Sequence, residues 1–468
     1  MNNHKATIIR GTLTGTNFEC PVTVMAEYEE HGTNPVKCHI LPDMAYFSAN
    51  RDNFSGYKGH FSLSGKTEKG DDVFISKIEI TSAEFYLGHG FTFENPKQIA
   101  WRTDAATFIM GQLGSFDSSE GEIICHLFTS PSPLAHSGVD YMRSYDGTIQ
   151  IENKVERQGI KWGTPFGEAE YTDEFRYLTE ERVGIDPAVI QIKRSCIVLR
   201  VTNRNRLALD ELLIEIQDYF DNVCWLMSFL SRRRVIWYEG EAIFLATDEN
   251  SFHRQAFVRR NKWHGYVDIT ISHHPVINFK LLRDGLFQHI LNGYESSENR
   301  ELIKRTIVHL LLSYERVYFE NQYTSVYTGL EGLVSSSSMS SQIVEAGKFK
   351  KIRTKIEQFL QEELENTALI QEMGKKISGL QHRSFTDQLQ LHLKQNKIDL
   401  SVLWPDSDNP FKELKELIQR RNRYMHNGQM THMQDYDKDI TKLQQLLELW
   451  ILKLLGYSKD DVAPDDKL

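Results

Sequence analysis

Cysteine is scarce and scattered in this 468-residue chain. Cys20, Cys38, Cys125, Cys196 and Cys224 include no C-x-x-C pair. An odd number at wide spacing argues against a disulfide framework and against a zinc knuckle. Long hydrophobic runs are missing as well. No apolar stretch reaches the roughly 18 residues that a membrane span needs, so no membrane contact is expected. The opening segment MNNHKATIIRGTLTG lacks the apolar core of a signal peptide, and a cytoplasmic location is expected. Positive charge is not in excess either. The net charge is −10 and the isoelectric point about 6.0, whereas a general nucleic-acid coat protein is usually basic. Any RNA contact must therefore use a local basic patch on an acidic body. Gly56, Gly59, Gly88 and Gly90 form no phosphate-binding loop ahead of a helix, and no Gly-x-Ser-x-Gly element occurs.

What is present is enough for a multi-domain globular protein. Apolar residues make up 40% and aromatic residues 11%, sufficient for substantial cores. The first part reads as β-rich. Short alternating runs cover Lys5 to Leu13, Pro21 to Tyr28, Lys37 to Leu41, His60 to Ser64, Val73 to Tyr86 and Glu122 to Phe128. Polar stretches such as Asn50 to Gly59 and Glu68 to Asp72 separate them. Ala188 to Thr202 and Arg232 to Leu245 also read as strands, with helical periodicity over Leu207 to Leu230 between them. From about residue 278 helical patterns take over: Leu281 to Leu291, Asn299 to Leu333, Lys348 to Glu365, Phe411 to Met425 and Tyr436 to Leu455. The serine-rich Ser335 to Ser341 reads as an inter-helix loop. The expected fold class is α+β. A sandwich- or barrel-like β region, 1–277, with a possible break near 150, precedes an all-α helical bundle, 278–468.

The chemistry concentrates in Arg421-Asn422-Arg423-Tyr424-Met425-His426. Phe411, Leu414, Leu417, Ile418, Tyr424 and Met425 recur at helical spacing as one apolar stripe. At about 100° per residue, Arg421 falls near the middle of that stripe. A guanidinium keeps its charge, and an unpaired one in an apolar setting costs several kcal/mol. Either a buried acid matches it, or the stripe opens where an anion binds. His426 follows, and Asn427-Gly428 reads as the helix C-cap. An arginine for phosphate and a histidine for proton transfer suit RNA cleavage. Arg420 and Arg423 project elsewhere and are placed on the RNA backbone. The competing reading is a helix with surface pairs, Glu413 or Glu416 to Arg420, and a histidine at the negative helix end. Neither acid lies on the face of Arg421.

A helical C-terminal domain carrying Arg421-Asn422 and His426 on its penultimate helix resembles the HEPN superfamily of ribonucleases, over roughly residues 280–456. The segment from Ser313-Tyr314-Glu315 through Tyr327 to Leu333 is similar to the long early helix of that domain. With the β-rich region ahead of it, the order of parts resembles the ApeA-type anti-phage HEPN proteins. The resemblance implies a metal-independent endoribonuclease without a cofactor, acting as a homodimer with two motifs facing each other. It implies attack of a ribose 2′-OH on the adjacent phosphate, giving a 2′,3′-cyclic phosphate and a 5′-OH. His426 would act as general base or acid, Arg421 would clamp the phosphate, and Asn422 would hold substrate or orient the histidine. The implied partners are an RNA substrate, a second copy and a phage-derived trigger of the β-rich region. A non-catalytic dimerisation or nucleic-acid-binding module is the alternative, as is a carbohydrate- or protein-binding β protein with a helical assembly domain.

Weaker constellations remain. Arg254 to His264 mixes basic side chains with Phe257 and Trp263, as an edge strand guarded by charge or as a binding patch. Ser231 to Arg234 reads as a helix terminus, His273-His274-Pro275 as a turn, and Glu331 as a surface or core pair more than a support for the site.

Overall fold

The computed structural model of the chain describes residues 4–15, 18–29, 36–49, 61–78, 82–86, 98–105, 107–111, 121–130, 132, 134, 139–143, 149–153, 159–182, 185–202, 209–246, 254–260, 276–277, 279–315, 319–336, 342–364, 366–427 and 433–457. The stretches 51–60, 261–275, 337–341 and 428–432 lie outside the described residues. With them lie the His273-His274-Pro275 turn, the core of the serine loop, Gly56, Gly59, Gly88 and Gly90, and the Gly428 half of the expected cap. The architecture is α+β: a β-rich N-terminal region precedes a helical region. Two compact units divide between Leu291 and Asn292.

In the N-terminal unit, residues alternating along extended backbone dictate a two-faced sheet. The strands are β1 His4–Gly15, β2 Phe18–Glu29, β3 Val36–Pro42, β4 Phe61–Thr67, β5 Asp72–Ile78, β6 Ser82–Tyr86, β7 Gln98–Ala105 and β8 Thr107–Gly111. There follow β9 Gly121–Thr129, β10 Val139–Arg143, β11 Ile149–Asn153, β12 Ile160–Thr164, β13 Gly167–Arg182, β14 Ile185–Val201, β15 Trp237–Ala246 and β16 Arg254–Arg260. Fourteen of them form one antiparallel ladder in the order β12-β13-β14-β9-β15-β16-β8-β5-β4-β1-β2-β3-β7-β6, and β10 pairs with β11. The ladder rolls up between β5 and β7, which touch without pairing. Ile9 and Leu13 of β1, Cys20, Val22, Val24 and Ala26 of β2, and Leu63 and Ile75 of the neighbouring strands fill the inside. The short helix α1, Met44–Ala49, lays Met44 and Phe47 against this core. All five cysteines are buried thiols, which agrees with their packing use.

The roll depends on a cross-strand pair of glycines. Gly11 faces Gly65 in the β1–β4 register. A Cβ on Gly11 would lie 2.3 Å from the Ser64 carbonyl oxygen, and one on Gly65 would lie 2.6 Å from that of Arg10. Backbone, which cannot swing aside, occupies both places. Gly11→Val is expected to destabilise the protein by roughly 3 kcal/mol through this clash. A wild-type urea midpoint for the variant would refute that.

Helix α2, Leu209–Ser231, connects β14 to β15 and turns Leu212, Ile216, Phe220, Val223, Met227 and Leu230 inward. Its end is built by Arg232, which takes a positive φ of 51°, and by serine hydroxyls. Ser231 Oγ donates to the Met227 carbonyl, and Ser228 Oγ accepts from the Val235 amide. Arg234 stacks over the Trp225 ring. The Arg232-to-Leu245 strand expected from sequence therefore begins only at Trp237, because the first residues complete the helix terminus. The charge-guarded edge at Arg254 to His264 is corrected as well. Strand β16 has β15 on one side and β8 on the other, with Val258 fully inside, so its arginines flank an interior strand.

The segment after Phe279 is not a plain helix. A turn at Phe279–Leu281 runs into a π-type stretch at Leu282–Leu286, where Gly285 adopts a φ of 109°, and then into α3, Phe287–Ser296. Phe287 packs on Trp162, so this segment begins on the β-rich unit.

The helical unit proper contains α4 Arg300–Tyr314, α5 Phe319–Ser335, α6 Ala346–Glu363, α7 Thr367–Gly379, α8 Phe385–Gln395, α9 Pro410–Asn427 and α10 Met433–Leu454. The single helix expected over Asn299 to Leu333 is two. Glu315 turns extended at ψ 119°, and α4 and α5 then pack on each other and on α10. One long rod would leave its second apolar face uncovered; the break lets both halves bury theirs. Tyr314 hydrogen-bonds Glu448 of α10, and Gln444 donates to the Ser313 carbonyl at 2.9 Å, fixing α10 at that break. Helices α7 and α8, 13 and 11 residues long, are shorter than the 18-residue α6 and α9 and escaped the sequence reading. Both have built starts: Asn366 accepts from the Ala368 amide, and Ser384 from that of Asp387. Among the described residues no helix is long and apolar enough to cross a membrane.

Candidate functional site

Helix α9 starts as its sequence requires. Asn409 caps it, its Oδ1 accepting from the Lys412 amide at 3.2 Å, and Pro410 fills the first turn, where its missing N–H costs nothing. Leu414, Leu417 and Ile418 are almost completely buried, each contributing roughly 2 kcal/mol by burial, and they set the rotation of the helix. That rotation carries Arg421, one turn further on, toward α5.

Arg421 meets an aromatic ring there. Its guanidinium carbon lies 3.8 Å from the centroid of the Tyr327 ring, within range of a cation–π contact. Its Nη1 donates to Oδ1 of Asn422 at 3.0 Å. Its Nε is buried and has no hydrogen-bond partner, and the side chain makes no ion pair among the described residues. Of the two outcomes that the sequence allows for an arginine on an apolar stripe, a matching buried acid is absent among the described residues.

The adjacent arginine differs. Arg420 forms a two-pronged pair with Asp439 of α10, Nε to Oδ2 at 2.8 Å and Nη2 to Oδ1 at 2.7 Å. Asp439 is 7% exposed at its side chain, and Arg420 is 37% exposed. The hydrogen bonds to Asp439 raise the Arg420 pKa above its ordinary value. The surface pairing of Arg420 with Glu413 or Glu416 gives way to this stronger partner. Glu416 instead lies 3.9 Å from Lys412, and Glu413 accepts from Ser407. Arg423 and Asn422 are exposed. Thus Arg423 presents its charge to solvent, while that of Arg420 is largely neutralised.

Around this pair sits an aromatic wall. Tyr327 is 4% exposed; burial pushes its pKa up to about 12, while Arg421 draws it down. Its ring packs at a tilt against Phe385 at the start of α8, 4.9 Å between centroids. Tyr323, one turn earlier on α5, is fully buried. Burial raises its pKa, with Asp439, Arg420, Arg421 and Tyr436 close enough to be felt. Three helices thus converge: α5 gives Tyr323 and Tyr327, α9 gives Arg420 and Arg421, and α10 gives Asp439 and Tyr436. Glu331 is exposed at the end of α5 and influences Tyr327 only through its charge.

His426 belongs to α9 by its backbone, but its side chain, like those of Tyr424, Met425 and Asn427, lies outside the described residues. The structure therefore brings Arg421 and Asn422 together and leaves the imidazole undescribed. Sequence reasoning missed Tyr323, Tyr327 and Asp439. A tyrosine pair four residues apart on one helix was the available signal, and it reads equally well as core.

No protein-family model, no curated protein and no solved structure matches this chain.

Proposed function

We propose that the chain is a HEPN-type endoribonuclease that cleaves RNA without a metal, at a site composed of Arg421, Asn422 and His426. The observation that carries this reading is the state of Arg421. Its guanidinium lies half-buried on an aromatic face, with a buried N–H left over and, among the described residues, no acid to match it. Such an arrangement costs stability and suits a phosphate, which would supply the missing partner. In the reaction His426 takes or gives the proton of the 2′-OH or the leaving 5′-oxygen. Arg421 compensates the charge that grows on the phosphorus oxygens. On one helix Arg421 and His426 lie about 140° apart, which suits a histidine supplied by a second copy of the chain, as the HEPN resemblance implies, or a helix that ends at Asn427. The proposed arrangement is the former, a homodimer of composite sites, serving anti-phage defence with the β-rich unit holding the nuclease in check until a phage-derived trigger arrives. Arg423 steers the RNA backbone, as would Arg420 if released from Asp439.

The test is incubation of the full chain with total RNA in excess EDTA, beside Arg421→Ala and His426→Ala, with end-group analysis. Cleavage by the wild type alone, leaving cyclic phosphate, upholds the proposal. RNA binding without cleavage by the wild type, with or without the trigger, makes it a binding module instead.

Tyr327 acts on this site by positioning Arg421. Tyr327→Leu is expected to lower cleavage about tenfold, the scale of a lost partly buried cation–π contact. Tyr327→Phe keeps the face and should retain activity near the wild-type level. Equal losses in both variants would show that the hydroxyl, not the ring face, matters.

A further inference from the structure

The helical hairpin α6–α7 carries a surface that the site does not use. Helix α6 begins AGKFKKIRTK, with Lys348, Lys350, Lys351, Arg353 and Lys355 and no acid, inside a chain whose net charge is −10. One face of α6 is committed. Phe349 and Leu360 are buried and, with Ile356, pack on Ile370, Met373 and Ile377 of α7. A flanking face joins basic and apolar side chains. At about 100° per residue, Lys348, Lys351, Ile352, Lys355 and Phe359 share an arc of roughly 100°, which an acid, Glu362, enters only in the last turn, beyond Phe359. All five are exposed, Ile352 at 46% and Phe359 at 59%. Exposed Ile352 and Phe359 beside Lys348, Lys351 and Lys355 suit a polyanion with flat bases, which uses both kinds of side chain.

The hairpin is tied to the arginine site by a short chain of contacts. Its base is a bridge between Gln342 and His382, with the Ile343 amide donating to the Gln381 carbonyl at 2.8 Å. Three residues after His382, Phe385 packs against Tyr327, which carries the Arg421 guanidinium. Ile343 and Leu380, beside the bridge in sequence, are exposed as well.

We infer that the α6 face is an RNA-docking arm: its lysines follow the phosphate backbone, Phe359 and Ile352 receive unstacked bases, and the strand is led past the hairpin base to Arg421. The inference rests on the ribonuclease reading for what happens to the strand afterwards, not for the binding itself.

The test measures binding of a fluorescein-labelled single-stranded RNA to the full chain carrying His426→Ala, which keeps the probe intact. Lys348→Glu/Lys351→Glu/Lys355→Glu is expected to weaken binding at least tenfold and to make the salt slope shallower by about 2, for three lost phosphate contacts. Phe359→Ala should weaken it roughly tenfold through lost stacking. Each substituted side chain is exposed, and unchanged melting temperatures verify folding. Lys37→Glu/Lys69→Glu/Lys161→Glu, three exposed lysines of the other unit, should bind as before. Unchanged binding by the α6 variants, an equal loss in the control, or capture of anionic vesicles with no RNA binding overturns the arm. If the α6 variants lose RNA while the His426-containing protein never cleaves any, the arm stands and the ribonuclease reading falls. If cleavage occurs and the α6 variants bind normally, the reverse holds.

Discussion

Arg421→Lys is expected to reduce RNA cleavage at least about a hundredfold while the protein stays folded, because the charge alone does not reproduce the planar fork. The arginine makes two contacts at once, with the Tyr327 face and the Asn422 amide oxygen, and keeps a buried N–H that bonds nothing among the described residues. An ammonium can satisfy one of these, not all. The stability side of the same experiment is diagnostic. Leu414, Leu417 and Ile418 are buried in line with Arg421, so Arg421→Leu would continue an apolar face. That variant is expected to melt at or above the wild-type temperature, a gain of up to about 1 kcal/mol, with cleavage abolished. A residue that costs stability yet is needed for activity is placed there for chemistry. If Arg421→Leu instead unfolds the helical unit, the arginine is structural. If Arg421→Lys cleaves like wild type, the phosphate clamp is wrong.

How much of this could be read from the sequence depends on how local the cause is. Helix α9 was legible almost to its ends, since Pro410, the apolar spacing and Asn427 are all contiguous signals. So were β1 to β4, where strict alternation sets one face inward. The rolled ladder was not legible, because it depends on Gly11 and Gly65 meeting across strands that lie far apart in sequence. The break at Glu315 was hidden by a periodic pattern that continues on both sides of it; only the packing of α4 and α5 on α10 reveals it. At the site, Arg421 was conspicuous as a charge on an apolar stripe. Asp439 was not, because its partner is chosen by how α10 lies beside α9. Consequently the sequence could not distinguish Arg420, which is matched, from Arg423, which faces solvent.

That distinction carries the second large effect. Arg420→Ala would leave the Asp439 carboxylate buried without its cation, against the apolar flank of α10 that includes Tyr436 and Ile440. Loss of one partner of a fully buried pair costs about 3–5 kcal/mol, and the partial exposure of Arg420 lowers this to roughly 2–3 kcal/mol. Removing both charges is different. Arg420→Met/Asp439→Leu replaces the pair by apolar groups of similar size and is expected to lie within about 1 kcal/mol of wild type. A coupling energy near zero in the double-mutant cycle, measured by urea unfolding, would show that the pair contributes nothing specific. The same double variant separates two roles for Arg420. If Arg420 leaves Asp439 to hold RNA, the stable Met/Leu protein will bind RNA more weakly and with a shallower salt dependence. If it only fixes α9 against α10, RNA affinity will be retained, and of these two arginines Arg423 alone will contact the RNA backbone. Arg423→Gln should then lower RNA affinity by severalfold with no change in melting temperature, as expected for an exposed phosphate contact.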